Sequence, residues 1–409
     1  MAFIQPFRAL RPTAASAPAV SSVPYDVVST DEARELAAGN PLSFLHVTRS
    51  EIDLPHETDP YASEVYTKAR ANLDALRHEA PLVQDAEPTL YLYRLRMGSH
   101  QQDGIAGCFS IDEYERDVIK KHERTRRDKE DDRTRHIAEV RAQTGVVFLT
   151  YRALHEIDAV TSRVAGGTPL YDFTAPDGVH HTVWPAGPVA SQQLVEAFGR
   201  VPALYIADGH HRAASAARAR AELRPQAGNG AASAEADTFL AVAFPDDQVQ
   251  ILPYHRTVRD LAGRTPQQFL AAIREQFSVV EGPAAPRRKG EVSMFLDGRW
   301  YTLDLAAAAP EDSSRAAGLD VARLQRHVLE QQLRIGDIRS DKRIDFIGGA
   351  RGTGALEQAV GSGRAAVAFS MYPVGVDDLM AISDAGGIMP PKSTWFEPKL
   401  RDGLLIHVI

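Results

Sequence analysis

The chain has 409 residues, which is enough for two or three packed units. Its net charge of -8 argues against a general nucleic-acid binder, and no apolar run approaches the ~18 residues of a membrane helix. A single cysteine, Cys108, excludes an intrachain disulfide, which suits a reducing compartment. The first residues lack the segments of a signal peptide. We therefore expect a cytoplasmic protein that binds neither nucleic acid nor membrane; its oligomeric state is left open.

The first third of the chain carries loop and helix signals. The Ala/Ser/Pro-rich stretch 11–22 predicts a loop. Ser110, followed three positions later by Glu113, has the form of a capping box and predicts that a helix begins there. Residues 120–136 include no apolar side chain, so they cannot form the apolar stripe of a core-facing helix. This run therefore lies either on the solvent-exposed surface or along a polar cleft.

Within that charged run, the pair His122-Glu123 stands out. A zincin site would need a second histidine at the fifth position, where this chain has Arg126. A glutamate among cationic neighbours is instead a candidate general base, because burial can tune its pKa. The sequence thus predicts a base role for Glu123 and names His122 as a further candidate.

The motif Asp-Gly-His-His-Arg at 208–212 is the most informative stretch of the chain. It follows the apolar run 204–207 and precedes the alanine-rich run 213–223, which together predict a strand, a tight turn and a helix. Helix N-termini carry unpaired N–H groups and partial positive charge, so anions bind there. Asp208 is a candidate proton acceptor or metal ligand. The candidate phosphate-binding residues are Gly209, His210, His211 and Arg212.

A zinc site at this turn is less favoured. Adjacent residues on a helix point about 100° apart, so His210 and His211 would not readily share one metal ion. The sequence has no Cys/His cluster at ligand spacing to support them. An ordinary structural turn is the alternative, but such a turn needs only the glycine.

Between the predicted loops, helix and strand signals alternate along the chain. Asp297-Gly298 lies between two strand signals and predicts a hairpin. The mixture predicts an α/β or α+β fold. Strands are predicted at 145–151, 239–244, 293–296, 300–305, 365–371 and 403–408. Low-complexity loops are predicted at 224–237, 282–290 and 306–317.

Near the C-terminus, Pro390-Pro391 fixes the backbone ahead of Lys392, Ser393 and Thr394. One cation and two hydroxyls suit a carboxylate or a phosphate. The alternative is a proline-stiffened loop whose aromatic residues fill the core. The pair His255-Arg256, which follows a strand signal, is a further candidate, with a surface loop as its alternative.

Five motifs follow one another along the chain: His122-Glu123 with Thr125, Pro-Leu-Tyr-Asp-Phe at 169–173, 205–212, Pro-Tyr-His-Arg at 253–256, and 389–394. Together and in this order, they resemble the bacterial and archaeal family known as domain of unknown function 1015. The resemblance covers residues 7–408, nearly the whole chain. That family is similar to the ParB/sulfiredoxin-like free serine kinases. The resemblance implies an α/β fold with mixed sheets. It implies an N-terminal α/β region at 1–109, a ParB/sulfiredoxin-like core at 110–260, and a C-terminal α/β region at 261–409 that completes the site.

Free serine kinases phosphorylate L-serine with ATP or ADP to give O-phospho-L-serine. By resemblance, the 209–212 turn binds the nucleotide phosphates, with Mg²⁺ near Asp208, and Glu123 is the catalytic base. Lys392 and Thr394 match the run that binds the amino acid, but Phe396 stands where those kinases have histidine, which puts the amino-acid specificity in question. The chain has no glycine-rich Walker loop.

We therefore predict a kinase that uses ATP or ADP with Mg²⁺ and phosphorylates a small hydroxyl-bearing amino acid, with L-serine as the first choice. The alternative is a ParB-type regulatory protein that binds nucleotide without metabolite kinase activity. A sulfiredoxin-like reductase is less favoured, because Cys108 lies far in sequence from the phosphate turn.

Overall fold

A computed structural model describes residues 2–79, 82–227 and 235–409. The chain divides into two compact units, a larger one (Met1–Val249 with Pro398–Ile409) and a smaller one (Gln250–Glu397). Helices and strands alternate, so the predicted α/β class with mixed sheets is confirmed. Among the described residues, no helix combines the length and the apolar character needed to cross a membrane.

The strands are β1 (Ile4–Gln5), β2 (Leu10–Arg11), β3 (Val83–Gln84), β4 (Tyr91–Met97), β5 (His100–Ser110), β6 (Ile119–Lys120), β7 (Ala142–Gln143), β8 (Val147–Tyr151), β9 (Tyr171–Thr174), β10 (His180–Pro185), β11 (Leu204–Asp208), β12 (Thr238–Pro245), β13 (Gln250–Leu252), β14 (Tyr254–Val258), β15 (Ser278–Glu281), β16 (Glu291–Leu296), β17 (Arg299–Asp304), β18 (Ile344–Gly348), β19 (Val367–Met371), β20 (Trp395–Glu397) and β21 (His407–Val408).

The α-helices are α1 (Ala17–Val20), α2 (Thr30–Ala37), α3 (Leu45–Thr48), α4 (Ser63–Glu79), α5 (Ile111–Glu115), α6 (Arg127–Val140), α7 (His155–Ala165), α8 (Gly187–Phe198), α9 (His210–Ala227), α10 (Pro266–Arg274), α11 (Asp320–Leu324), α12 (Gly354–Gly361) and α13 (Val376–Asp384). Short 3₁₀ turns include Tyr25–Val27, and a π-helical segment follows α11 at Gln325–Glu330.

The larger unit is built on a mixed sheet in the order β6-β11-β8-β12-β5-β4-β10-β9, with β1 paired to β5 beside this path. The β6–β11 and β8–β12 pairs are parallel, and the other neighbours are antiparallel. Apolar side chains of the central strands, such as Leu149, Ile206 and Ala241, pack with Leu194 of α8 in one core. Because β8 and β12 are buried along their whole length, the ends of the central strands are held firmly in place.

The charged run 120–136 turns out to be partly buried. Most of it forms α6, which packs beside α9 through Ile137, Ala219 and Leu223. The buried positions on this helix include Asp132, Thr134 and His136. Asp132 accepts a hydrogen bond from Tyr66 and pairs with Arg133, so a polar network replaces the apolar stripe that the run lacks.

The smaller unit contains a six-stranded sheet in the order β15-β17-β16-β19-β14-β18, in which all neighbours are antiparallel. Its core includes Val258, Phe269, Leu303 and Phe369. Beside this sheet, β13 and β20 form a two-stranded ribbon that sets Trp395 opposite Leu252.

Several local predictions are confirmed. The Ser110 side chain caps α5 by accepting the Glu113 N–H. Asp297 and Gly298 both have positive φ, at 48° and 76°, as a two-residue hairpin turn requires. The strands predicted at 145–151, 239–244, 293–296, 300–305 and 365–371 are present with ends shifted by one or two residues, and no helix or strand interrupts 282–290 or 306–317.

Two other local predictions need correction. The stretch 11–22 is not all loop, because its first residue lies in β2 and α1 forms within it, with Pro18 in the first turn where proline is tolerated. The strand predicted at 403–408 is only two residues long, since Gly403 has a φ of 88° and leaves the extended conformation. Of the loop predicted at 224–237, α9 takes up the part to Ala227, and residues 228–234 lie outside the described residues.

Candidate functional site

The predicted strand, turn and helix around 204–227 are present in the larger unit. Strand β11 ends at Asp208, Gly209 turns with a φ of 97°, and α9 begins at His210. A Cβ at Gly209 would lie 3.2 Å from the Arg212 side chain and 3.3 Å from the Val147 backbone. Only glycine combines this φ with such close packing, so the turn brings the first N–H groups of α9 directly after the Asp208 carboxylate.

Asp208 forms an ion pair with a lysine from the C-terminal segment. Its Oδ2 atom accepts a hydrogen bond from Lys399 Nζ at 2.9 Å, while 28% of the Asp208 side chain remains exposed. Burial alone would raise the pKa of Asp208, but the charges of Lys399 and Arg212 outweigh burial and lower it below its usual range. The carboxylate is therefore ionised at neutral pH, beside the positive end of a long helix.

Arg212 is held inside the larger unit by acceptors from two other segments. Both of its contacts to Asp26 are 2.7 Å long, and its Nη1 donates to the Val146 carbonyl at 2.6 Å. Its stem passes so close to Gly145 that a Cβ there would lie 3.2 Å from Arg212 Cδ. Burial would lower the pKa of Arg212, but Asp26 and Asp208 raise it, so the charge is permanent. Arg212 thus anchors the turn to its surroundings.

A small cavity adjoins the Arg212 side chain. Its volume is about 30 Å³, and Tyr25, Arg133, His136 and Thr144 contribute to its wall. The buried Nε of Arg212 has no hydrogen-bond partner among the described residues. A cavity of this size is large enough for one or two water molecules.

Asp402 is a third carboxylate near Arg212, after Asp26 and Asp208. It is 1% exposed, and its Oδ1 accepts the Val146 N–H at 3.4 Å. Burial raises the pKa of Asp402 to about 7, and Arg212 only partly offsets this. A carboxyl group with this pKa changes its charge near neutral pH, in contrast to Asp208.

The two histidines of the turn hold the backbone of the loop at residues 122–126. His210 Nε2 lies 3.4 Å from the His122 N–H, and His211 Nε2 lies 3.0 Å from the Arg126 N–H. In both cases the ring nitrogen must accept, which requires the neutral imidazole with its proton on Nδ1. Burial lowers the pKa of both rings and keeps them in that form. The histidines therefore fix the segment that carries Glu123.

Glu123 lies next to the turn. Its Oε2 is 3.8 Å from His210 Nδ1, and 58% of its side chain is exposed. His122 is buried and meets the His210 ring edge to face at a centroid distance of 4.4 Å. Burial lowers the pKa of His122 to about 4, so it is neutral at pH 7. The structure thus brings together Glu123, His122 and His210, although they come from two distant segments.

The other predicted residues lie in the smaller unit. Lys392 Nζ is 3.5 Å from the Tyr254 hydroxyl and 5.2 Å from the centre of its ring. Ser393 is buried and donates to the Pro390 carbonyl, which closes the proline-braced turn. Thr394 leads directly into β20, where Phe396 is buried opposite Ile251.

His255 and Arg256 are neighbours on β14 of this unit, and both are buried. His255 Nδ1 accepts the Met371 N–H at 3.2 Å, and burial lowers the pKa of His255 to about 4. Arg256 donates to the carbonyls of Tyr254 and Lys392. A surface loop, the alternative for this pair, is therefore excluded.

The family model described as a protein of unknown function, DUF1015, matches residues 4–323. The chain belongs to this family. Among curated proteins no match was found.

Three solved structures are similar to this DUF1015 chain at low TM-scores. A conserved hypothetical protein from Pyrococcus furiosus has 12% identity and a TM-score of 0.36, with 74% of this chain and 95% of that chain covered. A free serine kinase in complex with AMP has 12% identity and a TM-score of 0.36, with 73% and 91% covered. A C-terminally truncated SbnI from Staphylococcus aureus has 11% identity and a TM-score of 0.39, with 74% and 87% covered.

The fit of Mg²⁺ to this DUF1015 site is partial. Within the described parts of the chain, no group of three or more His, Cys, Asp or Glu side chains could hold a metal ion. Asp208 is an ionised carboxylate of the kind that Mg²⁺ accepts, but Lys399 already contacts its Oδ2. Asp208 is therefore the residue of the turn that could supply a single carboxylate ligand to Mg²⁺.

Sequence reasoning missed three residues around the turn, namely Asp26, Lys399 and Asp402. Asp26 is 186 positions from Arg212, and Lys399 is 191 positions from Asp208. A signal was present for the last two, because the segment 397–402 concentrates four charged residues directly after the aromatic pair. Nothing in the sequence around Asp26 indicates its role.

Proposed function

We propose that this protein is a small-molecule kinase that transfers a phosphoryl group from ATP or ADP to the hydroxyl of a small amino acid, with free L-serine as the leading candidate. One observation carries the proposal. The Asp208–Gly209–His210 turn sets an ionised carboxylate and a helix N-terminus beside Glu123. Phosphoryl transfer needs mainly positioning and charge stabilisation, together with a group that accepts the hydroxyl proton.

The phosphate-binding part is the first turn of α9. Its N–H groups have no acceptor within the helix, and the helix adds partial positive charge at the same end. Lys399 supplies a full charge next to Asp208. In this proposal Gly209 and the backbone of residues 210–212 bind the nucleotide phosphates, and Arg212 holds the turn in shape. Mg²⁺, when bound, would neutralise charge on the phosphates next to Asp208.

Glu123 is the proposed general base. The acceptor hydroxyl oxygen forms a bond to the terminal phosphorus, and its proton passes to the Glu123 carboxylate. The bond from that phosphorus to the bridging oxygen breaks, and the nucleotide leaves shortened by one phosphoryl group. His210 Nδ1 lies 3.8 Å from Glu123 Oε2, which allows an electrostatic interaction but is longer than a hydrogen bond.

The acceptor-binding part is the run Lys392-Ser393-Thr394. Lys392 offers a cation for the acceptor's carboxylate, and Thr394 offers a hydroxyl. Ser393 supports the turn through its bond to Pro390. Phe396 is buried in β20 and does not replace the polar partner that the resemblance implies at this position, so serine would be held with one contact fewer.

The test is a product assay. Purified protein is incubated with ATP or ADP, Mg²⁺ and a panel of hydroxyl-bearing amino acids, and phosphorylated products are measured by mass spectrometry. We expect O-phospho-L-serine or the phosphate ester of a close analogue. No phosphorylated product from any acceptor would refute the kinase proposal.

A second candidate is a nucleotide-binding regulatory protein without kinase activity. The exposure of Glu123 favours it, because a base at 58% exposure is not desolvated as many catalytic carboxylates are. Calorimetry with ATP and ADP separates the two functions. Nucleotide binding without any phosphorylated product would support the regulatory protein.

A further inference from the structure

Arg256 is a buried cation without a carboxylate. It is 2% exposed, in the middle of β14, and its guanidinium donates only to two backbone carbonyls, those of Tyr254 and Lys392. Within the described parts of the chain, no Asp or Glu forms an ion pair with it or with Lys392. Burial lowers the pKa of Arg256 to about 10, and only the Tyr254 hydroxyl opposes this, so the group is still charged at neutral pH.

An unpaired charge inside a protein is costly, because the low dielectric does not screen it and hydration is lost. The same low dielectric lets that charge act on a ligand several ångströms away. Most buried arginines of this chain are neutralised by acids, as Arg212 is by Asp26 and Arg401 is by Asp177. Arg256 therefore leaves a net positive potential in the smaller unit that an anionic ligand would neutralise.

Arg256 also sets the conformation of Lys392. Its Nη2 donates to the Lys392 carbonyl at 2.8 Å, and Lys392 has a φ of 56°, which is rare for a residue other than glycine. The Lys392 side chain lies over the Tyr254 ring, and this ring meets Trp395 at a centroid distance of 5.0 Å. The Lys392 loop, residues 390–394, thus joins one exposed cation, one buried cation and two aromatic rings.

We propose that Arg256 is a positioning residue that makes the Lys392 loop a recognition site for a carboxylate, so that the phosphoryl acceptor is a small carboxylic acid. The word acceptor rests on the proposed function, while the carboxylate site does not. Arg256 acts without touching the ligand: it orients Lys392 and adds a second positive charge behind it.

A carboxylate is favoured over a phosphate because one exposed ammonium group, with aromatic neighbours, suits a singly charged organic anion. A phosphate dianion usually takes more donors than this loop offers. Inorganic phosphate is therefore one arm of the test. A purely structural role for Arg256, tying β14 to the loop, is the other reading that the experiment must separate.

The experiment measures binding by calorimetry, without nucleotide, for two pairs of probes: L-serine with L-serinamide, and D-glycerate with D-glyceramide. Each pair differs only in the carboxylate. We expect wild-type protein to prefer the acid at least tenfold. Arg256→Gln should reduce that preference at least tenfold, as expected for loss of one charge within about 12 Å of the ligand at an effective dielectric of about 20. Arg256→Lys should keep most of it.

Arg259→Gln is the matched control. Arg259 is exposed, lies three positions after Arg256 and pairs with Asp345, so its loss removes the same formal charge and should leave the preference unchanged. If Arg256→Gln does not fold, Lys392→Met and the wild-type preference decide whether the Lys392 loop recognises a carboxylate. Lys392→Met should also lose the preference.

Equal weakening of acid and amide by Arg256→Gln would show a merely structural role and overturn the inference. The absence of a wild-type preference, no binding by any probe, or tighter binding of inorganic phosphate would overturn it as well. The outcome for the kinase is separate. If the preference depends on Arg256 but no product is phosphorylated, the carboxylate site stands and the kinase proposal is refuted. If acid and amide are phosphorylated equally, the kinase proposal stands and the carboxylate site is refuted.

Discussion

The two clusters of candidate site residues treat positive charge in opposite ways. In the larger unit, each cation of the turn has a carboxylate, since Arg212 pairs with Asp26 and Lys399 pairs with Asp208. In the smaller unit, neither Arg256 nor Lys392 pairs with an acid among the described residues. The cations of the larger unit are therefore balanced by acids of the chain, whereas those of the smaller unit would be balanced only by an anionic ligand.

This difference indicates what each cluster is prepared to do. A paired cluster is rigid before any ligand arrives, because its hydrogen bonds already fix the turn and the loop of Glu123. An unpaired cluster keeps its electrostatic potential available for recognition. We therefore expect changes in the larger unit to affect turnover and stability, and changes in the smaller unit to affect ligand choice.

The largest expected effect is on turnover and comes from removing the proposed proton acceptor, Glu123. Glu123→Gln keeps the size of the side chain and the contact to His210 but removes the proton acceptor. Turnover should fall by about 10²–10⁴, with little change in nucleotide affinity. Steady-state kinetics and calorimetry measure the two quantities. Glu196→Gln, an exposed change on α8, is the control and should have no effect on either; a fully active Glu123→Gln protein would exclude the base role.

The second prediction concerns the contribution of the Asp26–Arg212 ion pair to the free energy of unfolding. Asp26→Asn leaves Arg212 buried without its carboxylate. Breaking a buried pair costs about 3–5 kcal/mol, and because Asp26 is 34% exposed we expect about 2–4 kcal/mol. Chemical denaturation measures the free energy of unfolding. Asp172→Asn removes an exposed carboxylate and should cost far less. If Asp26→Asn is as stable as the wild type, the paired charges do not stabilise the turn.

Sequence reasoning predicted the features that short segments encode. The Asp208 turn, the Ser110 cap and the Asp297 hairpin each depend on a few adjacent residues whose conformational preferences are strong. For the same reason, residues 204–223 could be assigned to a strand, a turn and a helix without any knowledge of the fold.

The charge partners could not be predicted in the same way. Asp26 and Lys399 reach the turn only because the chain folds back over about 190 positions, and many other acids and lysines would have matched equally well in sequence. The roles of His210 and His211 were also hidden, since a histidine that accepts a backbone N–H has no sequence signature. The three-part domain division and the binding roles of Lys392 and Thr394 remain predictions.

The third prediction tests whether pairing tunes the larger unit for phosphate. Lys399→Met leaves only Arg212 to offset the Asp208 charge near the phosphates, so nucleotide affinity should fall by about 1.5–3 kcal/mol, the range for hydrogen bonds to charged groups. Lys289→Met is the matched control, because Lys289 forms a similar ion pair with Asp378 in the smaller unit. Its nucleotide affinity should equal that of the wild type. Equal losses in both variants would point to a general effect of charge.

The smallest expected effect concerns pH and the buried histidine of the larger unit. His122 has a pKa of about 4 in the folded chain and about 6.5 when unfolded, because burial disfavours its charged form. The unfolded state therefore binds more protons between pH 4 and 6.5, so the contribution of His122 to stability is complete above about pH 6.5 and is lost as the pH falls toward 4. As the pH falls from 7.5 to 5.5, the free energy of unfolding of His122→Phe should rise by about 1 kcal/mol relative to that of the wild type. Denaturation at the two pH values measures this difference, and Asp402, whose pKa is about 7, contributes equally to both proteins. His56→Gln, at an exposed position, should show no such change. A pH-independent difference for His122→Phe would mean that folding leaves the pKa of His122 unchanged, which would contradict the prediction.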